Sequence, residues 1–294
     1  MIQQRRRSLL LGATSTSISL LLSTMTDLAN AQGPTRRMPV IFVGHGSPMN
    51  AISDNPFTRA LGAWGAALPR PSAILSVSAH WLTPGQTLVT VDERPKTIHD
   101  FGGFPRELHE MQYPAPGAPM LAREAALRVK QSVTQGSDQW GLDHGTWSVL
   151  HHLFPKADIP VFQLSIDYDR PGAFHHAVGR DLSALRDKGV LIMGSGNVVH
   201  NLRATDRNAP VGLTASRPWA QAFDDAFKSA LAGRDDKALM NYTKLPGADI
   251  AVATPDHYYP VLYALGAAAP NEAAKTTFEA FHSGTLSMRC LQFG

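Results

Sequence analysis

The chain has 294 residues, 44% of them hydrophobic, and a net charge of +3 to which an arginine-rich N-terminus contributes. The remainder is therefore near neutral and holds no basic tract of the kind that nucleic-acid binding needs. A single cysteine, Cys290, against twelve histidines excludes an internal disulfide and directs metal chemistry to imidazole rather than thiolate.

The first residues read as an export signal and stand apart from the fold. Arg5, Arg6 and Arg7 lead into a mildly apolar stretch over residues 8–22, and Ala29-Asn30-Ala31 supplies the small-x-small pattern that a signal peptidase accepts. That stretch is shorter than the ~20 residues a bilayer-spanning helix needs, so a cleavable signal over residues 1–31 is expected rather than a stable membrane anchor. Paired arginines ahead of a weakly apolar run resemble a twin-arginine signal, with the twin-arginine machinery as partner and the periplasm as destination. Such a route exports folded chains. It suits a protein that must take up a weakly bound ion before meeting Zn and Cu.

Residues 32–294 then read as one domain. Strand-like runs occur at residues 39–43, 73–77, 87–91, 159–165 and 190–193. They are nearly continuous in apolar residues, as expected of strands buried on both faces. Helical patterns occupy residues 120–131, 173–186 and 218–231. The alternation predicts an α/β fold with a mainly parallel or mixed central sheet covered by helices. Residues 92–119, rich in proline and glycine, read as a long surface excursion, a feature that is usually functional.

Several of these strands deliver a metal-competent side chain at their carboxyl end. His45 follows Val40-Ile41-Phe42-Val43-Gly44, His80 follows Ser76-Val77-Ser78-Ala79, and Asn197 and His200 follow Ile192-Met193-Gly194-Ser195-Gly196. In open α/β sheets that edge binds ligands. The small residues Gly44, Gly46, Ser78, Ala79, Gly194 and Gly196 read as space for a substrate. His257 is expected at the start of a helix, and His144 sits just ahead of the apolar Val149-Leu150. One histidine after a strand is commonly a hydrogen-bonded core residue, whereas four in glycine-rich or turn settings favour a metal centre. His99 reads equally as loop structure and as substrate contact. His151, His152, His175 and His176 read as partly exposed helical residues, and His109 and His282 carry no signal.

Taken together, His45-Gly46-Ser47-Pro48, Ser78-Ala79-His80-Trp81, His99-Asp100-Phe101-Gly102-Gly103-Phe104-Pro105, Asp143-His144-Gly145, Gly194-Ser195-Gly196-Asn197 with His200-Asn201, and Pro255-Asp256-His257-Tyr258 carry a resemblance. They are similar to the class III extradiol ring-cleavage dioxygenases, and within them to the 4,5-DOPA dioxygenase branch. The resemblance runs in order over essentially all of residues 32–294. It implies a non-haem metal at the carboxyl edge of the strands and extradiol cleavage of a catechol-type aromatic diol with O₂.

Position by position, the resemblance implies His45, His80 and His257 as metal ligands. It implies His200 as the acid/base group, with a fourth-ligand reading beside it, and His144 as a second catalytic histidine. Ser47, Trp81, His99 and Asn197 are expected to meet the substrate. Better-known members of the wider family use two histidines and a glutamate. Here the third position is His257, and Glu93, Glu107, Glu110, Glu124, Glu272 and Glu279 sit in none of the motifs. Fe(II) is the expected ion. Three imidazoles are also a favoured zinc set, so Zn(II), a zinc-dependent hydrolase and a non-catalytic exported metal-binding protein stand as alternatives.

Overall fold

The computed structural model describes residues 37–205 and 212–294. The signal read over residues 1–31 lies outside the described residues. Its strands are β1 (Val40–Gly44), β2 (Ala73–Ser78), β3 (Thr87–Thr90), β4 (Thr134–Ser137), β5 (Val161–Gln163), β6 (Val190–Gly196), β7 (Leu213–Thr214), β8 (Ala274–Phe278), β9 (Phe281–His282), β10 (Leu286–Ser287) and β11 (Cys290–Phe293). The central sheet has the order β5-β2-β6-β1-β11-β8. β5, β2, β6 and β1 run parallel, and β11 and β8 close the sheet antiparallel. The sheet is thus mixed, one of the two forms the sequence predicts. Because β1, β2 and β6 are parallel neighbours, their carboxyl ends share one edge.

Helices α1 (Pro56–Ala67), α2 (Arg106–Glu110), α3 (Pro119–Arg128), α4 (His144–Leu153), α5 (Gly172–Leu182), α6 (Pro218–Ala232), α7 (Asp236–Met240), α8 (Ala248–Ala251) and α9 (Tyr259–Ala267) complete the α/β arrangement. Successive strand residues point to opposite faces, which explains the continuous apolar runs. Ile41, Val43, Ile74, Leu191 and Met193 pack with Phe57 and Leu61 of α1 and Trp147 and Leu150 of α4. Their neighbours Val40, Phe42, Leu75, Val77 and Ile192 pack with Val178 of α5, Phe223 of α6 and Leu265 of α9. Each such side chain, fully buried, contributes about 1.5–3 kcal/mol. No described helix is long and apolar enough to cross a membrane.

Local signals set the helix starts near the sheet edge. Asn55 caps α1 in a reciprocal box with Thr58, and Pro56 opens its first turn. Asp143 caps α4 by accepting from the Thr146 N–H, which makes His144 the first helical residue.

Four expectations need correction. The run at residues 87–91 forms β3, but β3 pairs with β4 in a separate two-stranded sheet. The Leu88 N–H there is taken by Ser165 Oγ at 2.8 Å rather than by a main-sheet strand. The helix read over residues 173–186 gives way after Leu182 to a 3₁₀ turn, Ser183–Lys188. His257 precedes α9 by two residues instead of opening it. His175 is fully buried rather than partly exposed. Its Nδ1 accepts from Tyr263 Oη–H at 2.9 Å while its Nε2–H donates to the Arg170 carbonyl at 3.1 Å, and burial pushes it down to about 4.

Candidate metal centre

The shared edge of β1, β2 and β6 gathers the histidines. The nitrogens of His45, His80 and His257 lie within 4.8 Å of one another. Each ring is aimed from behind. Ser195 Oγ–H is committed to the Gly145 carbonyl at 2.6 Å, so Ser195 Oγ accepts from His45 Nδ1–H at 3.0 Å. Asp256 Oδ2 accepts from His257 Nδ1–H at 2.5 Å. Asp100 Oδ2 lies 3.4 Å from His80 Nδ1. A neutral imidazole carries one N–H, so a proton held at Nδ1 leaves Nε2 as a free lone pair.

The free nitrogens converge. His45 Nε2 and His80 Nε2 stand 3.2 Å apart. Two lone pairs opposed at that distance repel unless a cation lies between them. Two nitrogens bound at ~2.1 Å to one ion, at angles between 90° and tetrahedral, would stand about 3.0–3.4 Å apart. The residues present therefore fit a metal ion.

Electrostatics agree. Burial, reinforced by the neighbouring histidines, lowers His45 and His80 well below the ordinary imidazole value and keeps both neutral. Burial opposes ionisation of Asp256, but the hydrogen bond it accepts from His257 prevails and holds it at about 2. Asp100 likewise stays below the usual carboxylate range because the His144 hydrogen bonds outweigh its burial. Two carboxylates thus stand one side chain behind the cluster, supplying negative charge where the better-known pattern has a glutamate ligand.

Two further histidines share the site. His144 is held by Asp100, which accepts from its backbone N–H at 2.8 Å and from Nδ1–H at 2.9 Å. His200 stacks face to face on His257, with centroids 3.5 Å apart and planes 3° from parallel. Its backbone N–H donates to the Ala251 carbonyl at 2.8 Å. Burial and the adjacent His257 push it down to about 3. Neither ring nitrogen of His200 has a hydrogen-bond partner among the described residues, and His200 is not among the converging ligand atoms.

All five histidines line a cavity of about 300 Å³, faced by Phe101, Phe104, Leu202 and Leu286. Ser47 lines it as well. Trp81, His99 and Asn197 do not. Trp81 stacks on Trp140, His99 Nε2–H donates to the Met111 carbonyl, and Asn197 Nδ2–H donates to the Ser287 carbonyl at 2.8 Å. These three side chains hold the frame of the site. His282, without signal in the sequence, is part of the lining.

Of the flanking glycines, Gly46 lines the cavity as expected, while the others have a different use. A Cβ at Gly44 or Gly196 would stand 2.7 Å from the Ser287 carbonyl or 2.2 Å from the His257 carbonyl. They make room for neighbouring backbone, not for substrate. Gly46 turns the chain at φ +65° directly after His45. Asp100, Asp256 and Ser195 were missed as partners. All three sit inside the quoted motifs, but only the fold pairs them with their rings.

Fold and site together define a metal-dependent α/β enzyme with imidazole donors at a strand edge. The chain belongs to the family described as the catalytic LigB subunit of aromatic ring-opening dioxygenase, which matches residues 39–290. It is 47% identical over 262 residues to the 4,5-DOPA dioxygenase extradiol of Escherichia coli K12, covering 88% of this chain and 95% of the relative. It is 38% identical to the 4,5-DOPA dioxygenase extradiol of Beta vulgaris, covering 86% and 95%. A solved structure of an uncharacterised Escherichia coli K12 protein superposes with a TM-score of 0.76 at 40% identity, covering 88% of this chain and 100% of that one. The chain is an extradiol ring-cleavage dioxygenase that uses a metal, which decides against the hydrolase and the non-catalytic alternatives.

Proposed function

We propose that the ion is Fe(II), held by Nε2 of His45, His80 and His257, and that the substrate is a side-chain-bearing catechol. The observation that carries this reading is the convergence of three lone-pair nitrogens on a cavity that two more histidines line. The relatives described as 4,5-DOPA dioxygenases favour a ring opened beside, not between, its hydroxyls. A cavity of about 300 Å³ suits one substituted ring. Bound Fe(II) would supply a Lewis acid that favours the catecholate and a redox centre for O₂.

The remaining steps belong to the protein. His200, neutral and with a free ring nitrogen, accepts the proton that a catechol hydroxyl releases. Stacking on His257 fixes its plane. His144, fixed through Nδ1–H on Asp100, presents Nε2 to a substrate oxygen. Phe101, Phe104, Leu202 and Leu286 hold the ring by apolar contact.

Apo protein loaded anaerobically with Fe(II) and offered a panel of catechols should consume one O₂ per ring. The product should gain the mass of one dioxygen molecule and be opened next to the diol. The same protein loaded with Zn(II) should be idle. A product opened between the hydroxyls, or no uptake with any catechol, would contradict the reading.

Residues 5–7 and 29–31 support export as a folded chain through the twin-arginine route to the periplasm. Replacing Arg5, Arg6 and Arg7 by lysine should strand the chain in the cytoplasm. A lysine variant that still reached the periplasm, cut near Ala31, would refute that route.

A further inference from the structure

Asp100 meets a member of the converging trio and a cavity histidine at once. Its Oδ1 accepts from the His144 backbone N–H at 2.8 Å, and its Oδ2 from His144 Nδ1–H at 2.9 Å. The same Oδ2 faces His80 Nδ1 at 3.4 Å. The rings of His80 and His144 lie 3.9 Å apart between centroids, so one carboxylate spans both. Asp100 also belongs to the excursion over residues 92–119. Its neighbour Phe101 packs edge-on against His144 at 5.4 Å and forms part of the cavity wall.

We infer that Asp100 is a positioning residue that sets His80 and His144 together, tying metal retention and substrate handling to the loop that carries the cavity wall. The inference rests on the ligand set proposed above. An ionised carboxylate is acceptor-only, with capacity for all three N–H groups. Its hydrogen bonds fix His144 as the tautomer protonated at Nδ1, and its negative charge 3.4 Å from His80 Nδ1 favours the same tautomer there. For His80 that keeps the proton off the nitrogen that faces the ion. For His144 it leaves Nε2 able to accept from a substrate hydroxyl. An amide at this position offers one acceptor oxygen and an NH₂ that opposes Nδ1–H. It drives at least one ring to the other tautomer.

The test is a double-mutant cycle of Asp100→Asn with His144→Ala, read on two observables. Zn²⁺ affinity is measured by competition with a chromophoric chelator, and kcat at saturating Fe(II) by oxygen uptake. Asp100→Asn should weaken Zn²⁺ binding about 10–100-fold, the scale of a lost partner behind a metal ligand. It should do so equally with and without His144, because that effect runs through His80. Its kcat at saturating metal should fall about tenfold or more alone, yet change less than about threefold when His144 is already alanine. A merely structural role would carry the full kcat loss into both backgrounds and overturn the proposal. So would Zn²⁺ affinity and saturated kcat both staying within about threefold of wild type. If thermal melting shows Asp100→Asn unfolded, Asp100→Ser is read by the same two criteria. His80→Ala with undiminished Zn²⁺ affinity would instead strike the ligand set itself, and with it the His80 half of the inference.

Discussion

Replacing His45 by alanine is expected to empty the metal centre. His45 leaves the end of β1, the strand held on one side by β6 and on the other by β11. Its Nδ1–H is fixed on Ser195 Oγ, whose own proton is fixed on Gly145. The ring is therefore preorganised, and its loss removes one of three donors rather than loosening it. Losing a partner behind a ligand already costs about 10–100-fold in metal affinity, so losing the ligand should cost more than about 100-fold. Metal content after gel filtration should fall to background for His45→Ala, while Ser195→Ala should retain metal with weakened affinity. Equal metal content in His45→Ala and wild type would remove His45 from the ligand set.

His200→Ala should give the opposite pattern, with metal retained and turnover lost. His200 shares the face of the site by stacking on His257 rather than by joining the three converging nitrogens. Removing it takes away an uncommitted imidazole and leaves His257 on its Asp256 hydrogen bond. Turnover should fall roughly 10²–10⁴-fold, the scale of a positioned proton-transfer group. Catechol binding, followed by titration under anaerobic conditions, should stay near wild type. A His200→Ala protein as empty of metal as His45→Ala would make His200 a fourth ligand, and His144 would have to carry the proton.

The edge of the sheet was legible in the sequence for a definite reason. Strands buried on both faces read as unbroken apolar runs, so the polar residue that ends each run is conspicuous. His45 and His80 stand out in this way, and the run ending at Met193 leads to His200. The antiparallel strands escaped notice. β8, Ala274-Lys275-Thr276-Thr277-Phe278, has no fully buried residue and β11 is four residues long, so neither makes a long apolar run. The start of α1 carries a readable signal, Asn55-Pro56 with Thr58. Pairings across the fold were beyond reach. Asp100 and His144 lie 44 residues apart, and Ser195 and His45 lie 150 apart. Phe101, Phe104, Leu202 and Leu286 become a cavity wall only when three separate segments are brought together.

The central claim is the position of the ion. Anomalous diffraction at the iron edge, from crystals of the chain loaded anaerobically with Fe(II), tests it most directly. The account predicts one peak, bound by Nε2 of His45, His80 and His257 at about 2.0–2.2 Å. The described residues also bring ligand atoms of His80, Asp100 and His144 within 4.8 Å of one another. A peak on that second group, with the nitrogens of His45 and His257 unbound, would contradict the account.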